Sequence, residues 1–323
     1  MKFSINRRHL LLSAFAGVTT SSLYAQDKPP LRVIVPASAG SGIDTHIRAV
    51  TQPLTKALAG QSVVVENLAG AGGVSGTQQL VRATPDGNTL GFVSNNHVVN
   101  PSVYKKMPFD SLKDITPICV VGSTPFVLVV NPKVPANNVK ELQSLLKARP
   151  NAYNYASSGN GTIIHLAAAQ LLDELDADAR HIPYKGMAPM VTDIISGVVE
   201  FGIVAVPVAQ AHVKSGALRA LAVATSKRVA SIPDVPTYTE QGFPHVDIGG
   251  WFAFIGPAKM PPALVQRLHS AIVTTFETQE AKDAMTKQQN IVHPMSPEDS
   301  KKYFEAEVQR YAQLVKKAGV QLD

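Results

Sequence analysis

Short runs of consecutive apolar residues alternate with segments whose apolar positions recur every three or four residues, along nearly the whole chain. The short runs have the length of buried strands, and the three-four spacing marks amphipathic helices, so the pattern predicts an α/β protein with mostly parallel sheets. Leu31–Val35 predicts the first strand. A helix follows, with Ile43, Ile47, Val50, Leu54 and Leu58 on one face and Gly60 as its stop. Pro53 falls inside that pattern and predicts a kink or an early end, because proline offers no N–H to the helix ladder. Further strands are predicted at 62–66, 89–93, 118–122 and 126–130. Val139, Leu142, Leu145 and Leu146 then form a helical stripe capped by Asn137 or Asn138. Strands follow at 154–156, 180–183, 200–204, 218–224 and 251–255. A helix from Pro262 carries Leu264, Leu268, Ile272 and Phe276, and a last helix starts at Ser296-Pro297 and stops near Gly319.

A chain of this length exceeds what a single hydrophobic core usually serves, which predicts two lobes. The expected division is discontinuous: residues 26–125 and 226–323 in the first lobe, 126–225 in the second, with crossings near 123–130 and 220–255. Such crossings favour hinge closure over a cleft, and clefts between lobes are common ligand sites.

Residues 1–25 read as an export signal. Lys2, Arg7 and Arg8 precede an apolar stretch from Leu10 to Val18 and a small-residue exit ending at Ala25. Asn6-Arg-Arg-His-Leu-Leu11 also resembles a twin-arginine signal, so either the general (Sec) or the twin-arginine route to the periplasm is open. The whole chain has 30 basic and 24 acidic residues, +6; the signal holds three bases and no acids, leaving +3. The remaining bases are scattered, which argues against a nucleic-acid partner. Cys119 is the one cysteine and sits in an apolar run, as a buried small hydrophobe would. Nine histidines show no metal-binding spacing, so neither a metal nor another cofactor is expected.

The chemistry concentrates in glycine-rich turns between a strand and a helix. In Ala37-Ser38-Ala39-Gly40-Ser41-Gly42 the strand empties into a turn that aims free backbone N–H groups and a positive helix end at an anion. A plain tight turn would use the same glycines. The spacing matches neither a dinucleotide fingerprint nor a P-loop. Ser157-Ser158-Gly159-Asn160-Gly161-Thr162 repeats the device with more neutral donors and acceptors. Tyr184-Lys185-Gly186 forms a third entry, and Asn95-Asn96 ends a strand as an amide pair or an ordinary turn. No nucleophile elbow and no paired carboxylates accompany these turns, so no catalytic residue is expected.

In this order the motifs resemble the Bordetella uptake gene (Bug) family, the periplasmic receptors of tripartite tricarboxylate transporters. The likeness rests on Val33-Ile34-Val35-Pro36 with Gly40, Gly42 and Asp44, on Gly70-Ala71-Gly72-Gly73, on Pro85-Asp86-Gly87, and on Pro183-Tyr184-Lys185-Gly186. It implies a two-lobed type II periplasmic-binding fold, a Venus flytrap with crossing hinge strands, that holds a small organic acid for membrane permease subunits. A monomer is expected. By matching motif, the contact regions would be 37–42, 94–96, 157–162 and 184–186. Many relatives carry an aspartate after the strand at 201–203, where this chain has Val204-Ala205; losing it disfavours amino-acid ligands, whose ammonium would lack a partner. A sensor subunit serving a membrane kinase fits the same fold, and a secreted hydrolase would need an activated Ser-His pair.

Overall fold

The computed structural model describes residues 29–319 except residue 247. The expected signal at 1–25 lies outside the described residues. Two sheets organise the chain. The first, in the order β11-β4-β10-β3-β1-β2, is built from β1 (Leu31–Val35), β2 (Val63–Asn67), β3 (Thr89–Ser94), β4 (Ile115–Thr124), β10 (Gly250–Pro257) and β11 (Ile291–Val292). The second, ordered β7-β6-β8-β5-β9, holds β5 (Phe126–Val130), β6 (Asn154–Ser157), β7 (Arg180–Pro183), β8 (Phe201–Ala205) and β9 (Arg219–Val223). The chain crosses outward between Thr124 and Phe126 and returns before Gly250.

Most strands of each sheet run one way, as expected, and both sheets are mixed: β10 and β11 in the first and β5 in the second run against the rest. β1 pairs parallel with β2 and β3, and β6 with β7 and β8. β10 runs antiparallel to β3 and β4, and β5 antiparallel to β8 and β9. The reason is geometric. Strands that end in the cleft turns point toward the cleft, whereas β5 and β10 enter their lobes from the crossing and must run away from it.

Local signals explain most helix limits. The first predicted helix is two, α1 (Gly42–Ala49) and α2 (Thr51–Ala57), broken at Val50 with φ −112° and ψ 6°. Pro53 lacks the N–H that would have bonded Ala49, and the helix restarts instead of kinking. α5 (Val139–Ala148) is capped by Asn138, whose side chain accepts from the Glu141 amide. α9 (Pro262–Glu277) and α11 (Pro297–Ala318) begin where their prolines predict, and Gly319 closes α11 at φ 63°. α4 (Asn96–Val103) stands where the sequence suggested only a turn, and it carries Pro101 internally. The others are α3 (Val74–Val81), α6 (Ile163–Leu175), α7 (Met187–Ser196), α8 (Val206–Lys214) and α10 (Gln279–Lys287).

One apolar core lies around the second sheet, with Leu128, Val204, Phe201 and Leu171 fully or almost fully buried; two more cover the faces of the first. Residues 226–246, expected with the first lobe, pack on the second. Val229, Ile232, Tyr238 and Phe243 share its core, and a bridge joins Thr237 to Val223 beside β9. Leaving that surface bare would have exposed the edge strand β9, so the chain covers it before crossing back. α6 is the other tie between lobes: its Leu166 is buried in the cluster that holds Tyr311 and Val315 of α11.

Candidate functional site

A cavity of about 750 Å³ opens between the two sheets, at the turns that follow their strands. The first lobe lines it with residues 36–43, Thr45, His46, Gly72, Gly73, residues 94–97, Trp251 and Phe252. The second contributes Ser158, Ile163, residues 186–188, Ala205, Pro207 and Val208. Among the described lining residues none is Lys, Arg, Asp or Glu, and the titratable side chains are His46 and His97.

The first turn is built by a carboxylate folding back. Asp44, in the first turn of α1, accepts from the Gly40 amide at 2.8 Å, from Asn67 at 2.9 Å and from Arg48 at 2.7 Å. Burial pushes its pKa up, yet these three donors together hold it below the ordinary value. Asn67 also donates to the Ala37 carbonyl at 3.2 Å, so both ends of the turn are pinned. Gly76 of α3 lets the helix touch the Pro36 backbone: a β-carbon there would lie 2.5 Å from the Leu68 oxygen and 2.9 Å from the Pro36 Cα.

The second turn is also tied from within. Gly159 and Gly161 have φ 137° and 70°, so glycine is demanded by backbone conformation there. Ser157 is fully buried and its Oγ lies 2.6 Å from His181 Nε2. His181 stacks on His165 at 3.8 Å between ring centroids, and His165 Nδ1 accepts from the Gly161 amide. Burial, then the neighbouring His181, lowers the His165 pKa to about 4. A serine and a histidine do meet here, but this serine has no exposed surface and cannot reach a substrate.

Of the residues singled out from sequence, Ala37, Ser38, Gly40, Ser41, Gly42, Asn95, Asn96, Ser158, Gly186 and Ala205 line the cavity. Ser157, Gly159, Asn160, Gly161, Thr162, Tyr184, Lys185 and Val204 do not. Thr162 caps α6, its hydroxyl accepting from the His165 amide, and Tyr184 donates to Asp193 at 2.8 Å. Val204 is fully buried in the core of the second lobe, because β8 is a central strand with both faces covered. Asn95 is 1% exposed and its amide serves the protein: it donates to the Gly249 carbonyl and Tyr311 hydroxyl and accepts from the Trp251 amide. Sequence reasoning missed His46, Met187, Val208, Trp251 and Phe252. For His46 the position one helical turn beyond Gly42 was a readable signal; Trp251 and Phe252 arrive from β10, which only the topology brings to this edge.

Four helices begin at the cavity with no side chain capping them: α1 and α4 from the first lobe, α7 and α8 from the second. Gly42, Asn96 and Met187, the first residues of α1, α4 and α7, line the wall; α8 reaches it through Pro207 and Val208, its Val206 N–H being bonded to the Pro125 carbonyl. An uncapped helix start leaves N–H groups without an intrahelical acceptor and carries partial positive charge, so an anion is the complementary guest. Among the described residues no group of three or more His, Cys, Asp or Glu is disposed to hold a metal, and no helix is long and apolar enough to cross a membrane.

Two α/β lobes joined by crossing strands, with helix starts from both turned on one cavity, define a solute receptor of the periplasmic-binding class. Residues 46–320 match the family described as the tripartite tricarboxylate transporter family receptor. The chain is 34% identical to protein BugT of Bordetella pertussis over 91% of its own length and 90% of that relative. Among solved structures, a Rhodopseudomonas palustris protein with adipate is 28% identical with a TM-score of 0.80, covering 91% of this chain and 98% of that one. MatC from Rhodopseudomonas palustris with bound malate is 26% identical with a TM-score of 0.77, covering 88% and 98%. The chain belongs to the tripartite tricarboxylate transporter receptors, the Bug family. It is therefore a periplasmic receptor for small carboxylates, not an enzyme, and works with membrane permease subunits.

Proposed function

We propose that the cavity closes around a small organic acid that carries no ammonium group, and that neutral donors hold its carboxylates. The observation that carries this reading is the convergence of uncapped helix starts, α1 and α4 from one lobe and α7 from the other, on a wall without formal charge. The Gly42 and Ile43 backbone amides and the Asn96 side-chain amide are the proposed contacts on one side, since the Gly40 and Ser41 amides already serve Asp44 and Ser38; the Ser158 hydroxyl, turned from Thr162, is the contact on the other. An ammonium group would be stripped of water with no anionic partner, which costs several kcal/mol. Relatives seen with malate and with adipate have ligands of the proposed kind.

Calorimetry and thermal shift on the mature chain test this, using succinate, malate, adipate, benzoate, aspartate and glutamate. Saturation at 100 times Kd adds about 2.7 kcal/mol to stability, so a bound acid raises the melting temperature by several degrees. If no acid in the set does so, the reading fails. Micromolar binding of aspartate or glutamate would defeat the exclusion of amino acids.

A further inference from the structure

We propose that His46 is a ligand-binding residue of this cavity, its Nε2–H donating to a carboxylate of the bound acid at the start of α1. The proposal rests on the carboxylate reading above and names the side chain that meets the acid in the first lobe.

His46 lines the cavity yet is only 6% exposed, and no protein group bonds either ring nitrogen. The other titratable side chain of the wall is already committed: His97 donates from Nε2 to the Ser111 carbonyl at 2.8 Å. In His46 it is Nδ1 that is sealed from solvent without a partner, while Nε2 is not sealed. A buried orphan N–H is costlier than a buried orphan acceptor, so the proton of the neutral ring belongs on Nε2, the nitrogen open to the cavity. Burial lowers the pKa of His46 to about 4, which keeps the ring neutral at periplasmic pH and makes it one donor without a fixed charge.

Position supports the same assignment. Helical side chains lean toward the N-terminus of their helix, so a residue four beyond Gly42 covers the first turn of α1, where Gly42 offers no side chain to obstruct it. The ring is braced by Phe252, with centroids 4.8 Å apart. Beside it, Ser41 stands at the N-cap position, makes no capping bond, and has an unpartnered Oγ. An acid at this helix start would meet amides, a hydroxyl and the imidazole N–H together.

His46→Phe keeps the ring and its packing on Phe252 and deletes the donor; His46→Gln keeps a donor. Titration of wild type and both variants with malate and with adipate is expected to show about tenfold weaker binding for His46→Phe and a smaller loss for His46→Gln. In wild type, the 15N resonance of His46 Nε2 should shift on saturation with whichever acid binds. Equal affinity of wild type and His46→Phe overturns the proposal and leaves the carboxylate reading intact. Should His46→Phe fail to fold, an unmoved Nε2 resonance overturns it instead. If wild type binds no acid at all, the carboxylate reading falls and this assignment falls with it.

Discussion

Replacing Asn95 by alanine should damage the fold far more than its place on the cavity wall suggests. The side chain is almost wholly buried and joins three elements: it accepts from the Trp251 amide at 2.8 Å, and donates to the Gly249 carbonyl at 3.1 Å and to the Tyr311 hydroxyl at 2.7 Å. Alanine leaves the Trp251 N–H and Gly249 C=O buried without partners, each costing about 1–3 kcal/mol, while the tyrosine hydroxyl loses a further bond. The sum is about 3–5 kcal/mol. At about 2–4 °C per kcal/mol for a protein of this size, the melting temperature should fall by about 6–20 °C. Differential scanning calorimetry on the ligand-free protein measures this. Tyr311→Phe, which deletes only one of the three partners, should cost less, and the double variant should show non-additivity because the two residues share a bond. Asn96→Ala, whose side chain no protein group holds, should leave the melting temperature within about 1 °C. A fall under 2 °C for Asn95→Ala would mean that water or backbone relaxation satisfies these groups, and would refute the role of Asn95 as the clamp between β3, β10 and α11.

Gly76→Ala should lower both stability and acid affinity, since its β-carbon must push on backbone at Leu68 and Pro36 beside the first cavity turn; unchanged melting and binding would show that α3 shifts freely. Burial holds His46, His97 and His165 at a pKa of about 4, below the ordinary 6.5. Below pH 6.5 the unfolded chain takes up protons that the folded chain refuses, so stability should be full above pH 6.5 and decline as pH falls toward 4, by up to about 1.4 kcal/mol per pH unit for each. Urea midpoints that stay level between pH 7 and pH 4.5 would contradict this. Burial pushes the Cys119 thiol up to about 12, so a thiol reagent at pH 8 should label it only when the chain unfolds; rapid labelling of native protein would show that the strand is accessible.

How much of this was legible beforehand follows from the range of the forces involved. Apolar runs as short as Phe126–Val130 declared themselves as strands, and Asn138, Ser296 and Gly319 declared helix ends, because capping and periodicity act over a few residues. The glycines at 40, 42, 159 and 161 marked the strand-to-helix turns for the same local reason. Which of those turns meet a ligand was decided elsewhere. Thr162 and Ser157 look like ligand groups in sequence, yet Thr162 is spent locally as the cap of α6 and Ser157 on His181 of the neighbouring strand. Val204 occupies a position that the family motif places near the site, but β8 is covered on both faces and its side chain lies in the core. Strand direction was invisible as well, since an apolar run reads alike in either sense. Residues 226–246 joined the second lobe because the edge strand β9 needed cover, a demand that exists only once the sheet has formed. By itself the sequence determined the elements, the turns and the family; the tertiary structure decided which side chains face the cavity, because that depends on partners more than a hundred residues away, as Asn95 and Trp251 show.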